Sequence, residues 1–338
     1  MKKIYIIYFL LFICIIFVLF GCKYGLVNEF FDNYENSEIV CNLNREKNGS
    51  GFYSRFFQIV NYFTFCERNK INFIVKSDDW MFKWKHGWSD YFEDISLNYY
   101  KSEKIHDKGL HEIIDENLKI IDYKDAIPKV YKYNSYVKEE IQKMRTLFSL
   151  EDGNYDSIFI RRGDKLSSES VIITEDKYLD LLIKKNPNCK TVFLQTDDYN
   201  CFLELNKQIK MRGLRIQLLT ICEKESVGVV VNRSETDNLN NAVQHNEKNK
   251  QYLTTIIDKL NKTKPVAEMN SEEIKKHTMD MLIGVDIVCK SNICVTDYQS
   301  NVSRFIKLFH NNSSNVYDVN SPDVDIDYEK VICPTFGF

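Results

Sequence analysis

The run Phe159-Ile-Arg-Arg-Gly-Asp-Lys-Leu-Ser-Ser-Glu169 sets two guanidiniums, a turn glycine, a carboxylate and an amine directly after an apolar stretch. That chemistry grips polyanions, because arginine's planar fork makes paired bonds to phosphate oxygens and its charge persists at any working pH. Tyr155 to Ile160 reads as a short buried strand, so Arg161 and Arg162 emerge at its carboxyl end, where open α/β sheets place their ligands. Two forks there point to a diphosphate. The competing reading is an ion-pair knot in which Asp164 neutralises the arginines.

The elements that must position this cluster alternate. After the strand ending at Ile160 the pattern predicts a helix over 175–185, a strand over 191–195, a helix over 199–210 and a strand over 215–220. A helix over 271–289, a strand at Ile293 and a helix over 302–309 follow, which together imply a parallel sheet wound on both faces. Upstream, a helix over 51–67 opened by a glycine loop and a strand over 72–75 mark another α/β unit, and a helix over 136–150 is expected to link the two. The expected organisation is an anchor over 1–22, an amino-terminal α/β domain over 23–148 and a carboxyl-terminal Rossmann-like domain over 149–338. The polar stretch 223–268 reads as a surface insertion with partial helix.

Ile4 to Phe20 holds seventeen apolar residues without a charge, preceded by Lys2 and Lys3. This predicts a single spanning helix with those lysines cytoplasmic, hence a type II membrane protein facing the Golgi or ER lumen. A cleaved secretory signal, or a lipoprotein modified at Cys22 within Leu19-Phe-Gly-Cys22, are the alternatives. The net charge of −3 and the lack of any long basic run argue against nucleic acid as a partner. Ten cysteines permit lumenal disulfides or buried free thiols; none forms a Cys-x-x-Cys pair and the six histidines are scattered, which speaks against a zinc site. Asn232, Asn261, Asn311 and Asn312 head glycosylation sequons, as do Asn48 and Asn301, which fall among the candidate donor-site residues below.

Several ordered blocks give the arginine cluster a context. They are Asn48-Gly-Ser-Gly-Phe-Tyr-Ser-Arg-Phe-Phe-Gln58, Ser77-Asp-Asp-Trp80 with Gly87-Trp88, Val192-Phe-Leu-Gln-Thr-Asp-Asp198, Ile293-Cys-Val-Thr296 and Ser300-Asn-Val-Ser-Arg304. With the Arg-Arg-Gly-Asp-Lys run and Glu169 four residues beyond the lysine, the chain resembles the α1,6-fucosyltransferases of N-glycan cores and rhizobial chitin oligosaccharides. The resemblance implies a GT-B-type fold of two Rossmann-like domains facing a cleft. It also implies inverting transfer of L-fucose from GDP-fucose to an N-glycan or chitin-like acceptor, α1,6 to a GlcNAc, without a metal or other cofactor.

On that resemblance Arg161 and Arg162 take the diphosphate, with Asp164 beside them, and Arg162 stabilises the leaving group as charge grows on it. Glu169 matches the family's base and Lys165 its orienting partner; a nearby ammonium lowers the glutamate's pKa and burial raises it. Glu175 and Asp176 are rivals for the base. Gly49 and Gly51 let backbone amides approach the phosphates. Thr196, Asp197 and Asp198 face the nucleotide, Asp280 or Asp286 meets the guanine edge, and Ser300 and Asn301 form the serine-rich turn. Three departures stand out: Phe159 replaces a common histidine, Tyr53 replaces a common glycine, and the stretch from Thr296 to Ser300 is one residue longer. With about thirty residues after Arg304, the expected form is the compact one, without the family's SH3-like domain. The alternatives are an α1,2- or protein O-fucosyltransferase and, from another class, an inactive glycan-binding or lipoprotein surface protein.

Overall fold

The computed structural model describes residues 36–45, 51–108, 120–163, 172–231, 254, 257 and 259–321. Two parallel sheets organise them. In the first, β1 (Ser37–Asn42) lies between β2 (Asn72–Lys76) and β3 (Lys104–Lys108). The second contains β4 (Asp156–Ile160), β5 (Thr191–Thr196), β6 (Gln217–Leu219), β7 (Cys294–Thr296) and β8 (Val316–Asp318), in the order β6-β5-β4-β7-β8. The helices are α1 (Phe52–Asn69), α2 (Ile120–Val130), α3 (Ser135–Phe148), α4 (Glu175–Lys185), α5 (Tyr199–Met211), α6 (Ser271–Cys289) and α7 (Asn301–Phe309).

The second sheet starts at its centre. β5 and β6 are laid on one side of β4, and β7 and β8 on the other, so the winding direction reverses between β4 and β7. Reversal of that kind opens a crevice outside the carboxyl ends of the strands. Both faces of the sheet are covered, following the strand period of two. Ile158, Ile160, Val192 and Leu194 pack with Tyr178, Leu182 and Leu205 of α4 and α5, whereas Phe159 and Phe193 join the core that includes Leu282 and Val285 of α6.

The alternation expected from sequence is present, with strand and helix ends displaced by a few residues at most. β1, β3, α2 and β8 are additions. The expected surface insertion is corrected at both described ends: Val230, Val231 and Val266 are buried, and the amides of Val266 and Ala267 donate to the carbonyls of Val230 and Val231 at 3.0 and 3.1 Å. The expected anchor, Ile4 to Phe20, lies outside the described residues; among those described no helix is long and apolar enough to cross a membrane. Seven described cysteines, at 41, 66, 189, 201, 222, 289 and 294, are free thiols.

α1 is buried on almost every side. A phenol relay ties it to the rest: Tyr53 and Tyr131 share a 2.7 Å hydrogen bond, and Tyr133, its hydroxyl 2.8 Å from that of Tyr131, donates to the Leu282 carbonyl of α6 at 3.2 Å. Burial raises all three phenol pKa values well above 10, so they remain neutral donors.

The Trp80 and Gly87-Trp88 block buttresses the start of α1. Phe52 meets Trp80 and Phe82 at ring distances of 5.3 and 5.4 Å, and Trp88 stacks on Phe92 at 4.3 Å. The Asp90 carboxylate fastens the turn beneath them by accepting from the amides of Trp84, Lys85, His86 and Gly87, all within 3.0 Å. Gly87 holds φ at 90°, and a Cβ there would sit 2.1 Å from the Ser77 carbonyl oxygen. Gly153 has a similar φ of 75° but open space around it. Gly87→Ala should therefore cost on the order of 3 kcal/mol or more, because backbone must move, while Gly153→Ala costs only the left-handed strain of about 1–2 kcal/mol. Urea denaturation of both variants checks the difference; equal losses would contradict it.

Candidate functional site

A cavity of about 1580 Å³ opens at the carboxyl edge of the second sheet. Arg161 enters it from the end of β4, Thr196 and Asp197 from the end of β5, and Tyr298, Ser300 and Asn301 from the turn after β7. The start of α1, with Gly51 and Tyr53, forms another wall; His277 and Asp280 of α6 and the segment Glu223–Val231 complete it. Sheet winding and cavity thus coincide, since Arg161 and the Tyr298–Asn301 turn flank the point where strand order reverses.

Asp197 holds the site together. One carboxylate oxygen accepts from the Arg162 amide at 2.8 Å; the other accepts from the Val229 amide at 3.1 Å and pairs with the Arg161 guanidinium. Its carbonyl accepts from the Gly228 amide at 2.8 Å. One residue therefore joins the end of β4, the cavity arginine and the loop that covers them. Gly163 and Gly228 press together beside it, with φ of 73° and 118°; a Cβ on Gly163 would lie 2.4 Å from the Val229 carbonyl oxygen. Among the described contacts, the glycine of the Arg-Arg-Gly-Asp run thus serves backbone packing.

Arg162, expected beside Arg161 on a diphosphate, does not line the cavity. Successive residues leaving a strand point to opposite sides. Arg162 turns inward, 2% exposed, and donates to the Ile173 carbonyl at 2.7 Å and to Glu175 at 2.8 Å. The same pair engages Glu175, which had stood as a rival base. Asp198 is likewise absent from the cavity wall: fully buried, it caps α5, accepting from the Asn200 amide at 2.9 Å and from its side-chain amide at 2.7 Å.

Between the two helix carboxylates, Asp280 reaches the cavity and Asp286 does not. Asp286 lies deep in α6, paired with Lys290 at 2.8 Å, and burial raises its pKa. Burial also raises Asp280, against the pull of Lys276, which bonds it at 2.6 Å. Ser300 caps α7 by accepting from the Ser303 amide at 3.2 Å, while Asn301 accepts from Arg304 at 3.1 Å. Gly51 precedes α1 with φ near −64°, and a Cβ there would meet nothing within 4 Å. Gly49, Asp164, Lys165 and Glu169 lie outside the described residues.

His277 and the segment Glu223–Val231 were not singled out from sequence. The two arginines should behave differently on substitution. Arg162→Ala empties a fully buried side-chain site and leaves the partly exposed Glu175 without this partner, and should cost about 3 kcal/mol of stability. Arg161→Ala, at the cavity wall, should cost about 1–2 kcal/mol and instead remove anion binding. Thermal melts with pyrophosphate titration separate the two; a stable Arg162→Ala protein would overturn the assignment.

No protein-family model matches this chain, and no curated protein matches it. Among solved structures it is similar to POFUT1 in complex with GDP, at 9% identity and a TM-score of 0.36, covering 84% of this chain and 73% of that one. It is similar also to apo POFUT1, at 9% identity and a TM-score of 0.35, covering 84% and 74%. Overlap at that level leaves the reading of the site to its own residues.

Proposed function

We propose that this protein is an inverting glycosyltransferase that moves L-fucose from GDP-fucose to a glycan. The observation that carries the proposal is Arg161 at the carboxyl end of the central strand, facing a 1580 Å³ cavity at the switch point of a parallel sheet. A nucleoside diphosphate fits that place: its charge meets a guanidinium, and Thr196, Asp280, Ser300 and Asn301 supply polar groups around it. The Rossmann-like second sheet and the smaller first sheet are read as the two halves of a GT-B-type arrangement, with α1 opening toward the cavity.

The chemistry follows from where charge develops. As the glycosidic bond breaks, the departing diphosphate gains negative charge, and Arg161 stabilises it in the role that a metal ion would otherwise take. Glu169 removes the proton of the attacking hydroxyl and Lys165 orients it, as the Lys165–Glu169 spacing supports. The same spacing supports α1,6 linkage to a GlcNAc; protein and α1,2 acceptors are the competing outcomes of an acceptor panel. Membrane anchoring through Ile4 to Phe20 would present this site in the secretory lumen.

Incubation with GDP-fucose and GlcNAc-terminated, galactosyl and peptide acceptors should yield fucosylated product in excess EDTA. Absence of transfer to every acceptor, or activity that EDTA abolishes and Mn²⁺ restores, would refute the corresponding part. Glu169→Gln should bind GDP almost normally while transfer falls by about 10² to 10⁴. Near-normal turnover would place the base elsewhere.

A further inference from the structure

His277 stands on α6 in the cavity wall, on the helix face that also carries Glu273 and Asp280 toward the cavity. Its ring makes no hydrogen bond to any described residue. The neighbouring charges are otherwise engaged: Lys276 pairs with Asp280 at 2.6 Å and with Glu223 of the covering loop at 3.0 Å, and Glu273 pairs with Lys264. Burial first, then the Arg161 cation and Lys276, push the imidazole pKa down to about 4. At neutral pH the ring is therefore uncharged, with one N–H to donate and one nitrogen to accept. A polar group so placed gains by meeting a ligand oxygen.

We propose that His277 is a further binding residue of this cavity, its imidazole donating a hydrogen bond to an oxygen of the anion that Arg161 faces. The inference rests on the diphosphate reading of the cavity, though not on the identity of the sugar. It gives the leaving group a neutral donor from α6 beside the charged donor from β4. An anion seated there offsets the repulsion by Arg161, so binding should draw the ring's titration upward and take up protons below about pH 6.

The test titrates the full chain with inorganic pyrophosphate and with GDP, comparing wild type, His277→Ala and His277→Asn, while NMR follows the His277 ring. His277→Ala should weaken binding of both ligands about 10-fold, and His277→Asn, which keeps a donor, should recover part of the loss. The ring midpoint should rise from about 4 when pyrophosphate saturates the protein. Binding by His277→Ala at wild-type strength, or a ring titration that pyrophosphate leaves unmoved, overturns the proposal. A wild type that holds pyrophosphate through His277 but transfers no fucose keeps this inference and defeats the fucosyl reading; a wild type that binds neither ligand defeats both.

Discussion

Everything around the cavity is referred to the carboxylate of Asp197. It meets the Arg162 amide, the Val229 amide and the Arg161 guanidinium at once, so the end of β4, the covering loop and the ligand-facing cation share one origin. A carboxylate that accepts backbone amides while pairing with arginine has most of its lone pairs filled, which is the condition under which a largely buried charge is stable. The arrangement fixes the Arg161 rotamer in advance. An anion that arrives finds a positioned donor and does not have to organise one, which is where electrostatic preorganisation acts.

The remainder of the fold serves that edge from two sides. The second sheet brings three strand ends together because β4 is central and winding reverses beside it. The first sheet contributes α1, whose start lines the cavity and is tied there to α6 by the Tyr53–Tyr131–Tyr133 relay. α6 also carries His277 and Asp280, so the relay couples two helices that both line the cavity. Gly284 lets α6 lie close against β5; a Cβ there would overlap the Gln195 side chain, itself at the cavity.

Much of this was legible in the sequence where local pattern decides it. Tyr155 to Ile160 and Val192 to Gln195 are apolar runs bounded by turns, and strand ends in an α/β alternation mark the ligand edge whatever the detail. Arg161 and Asp197 were singled out on that basis, and both line the cavity. Arg162 does not, for a reason the sequence itself contained: successive residues leaving a strand point to opposite sides. Asp198 followed the same way, since an aspartate just before a helix caps it. β3, Lys-Ile-His-Asp-Lys, holds one apolar residue and is a strand only through its pairing with β1. His277 had no signal at all. Its setting is created by a loop more than forty residues upstream and a strand more than a hundred residues upstream, and helix periodicity carries no trace of them.

The inward turn of Arg162 has a further consequence for the motif. Arg162 donates both to Glu175 at the start of α4 and to the Ile173 carbonyl, so the residues just before 164 and just after 171 are fastened to one guanidinium. Gly163 is held from the other side by the backbone of Gly228 and Val229. Adjacent arginines in this motif divide the work. One lines the cavity and the other joins the end of β4 to the start of α4. A stability defect and a catalytic defect from neighbouring substitutions then have separate physical origins, although the two residues share a peptide bond.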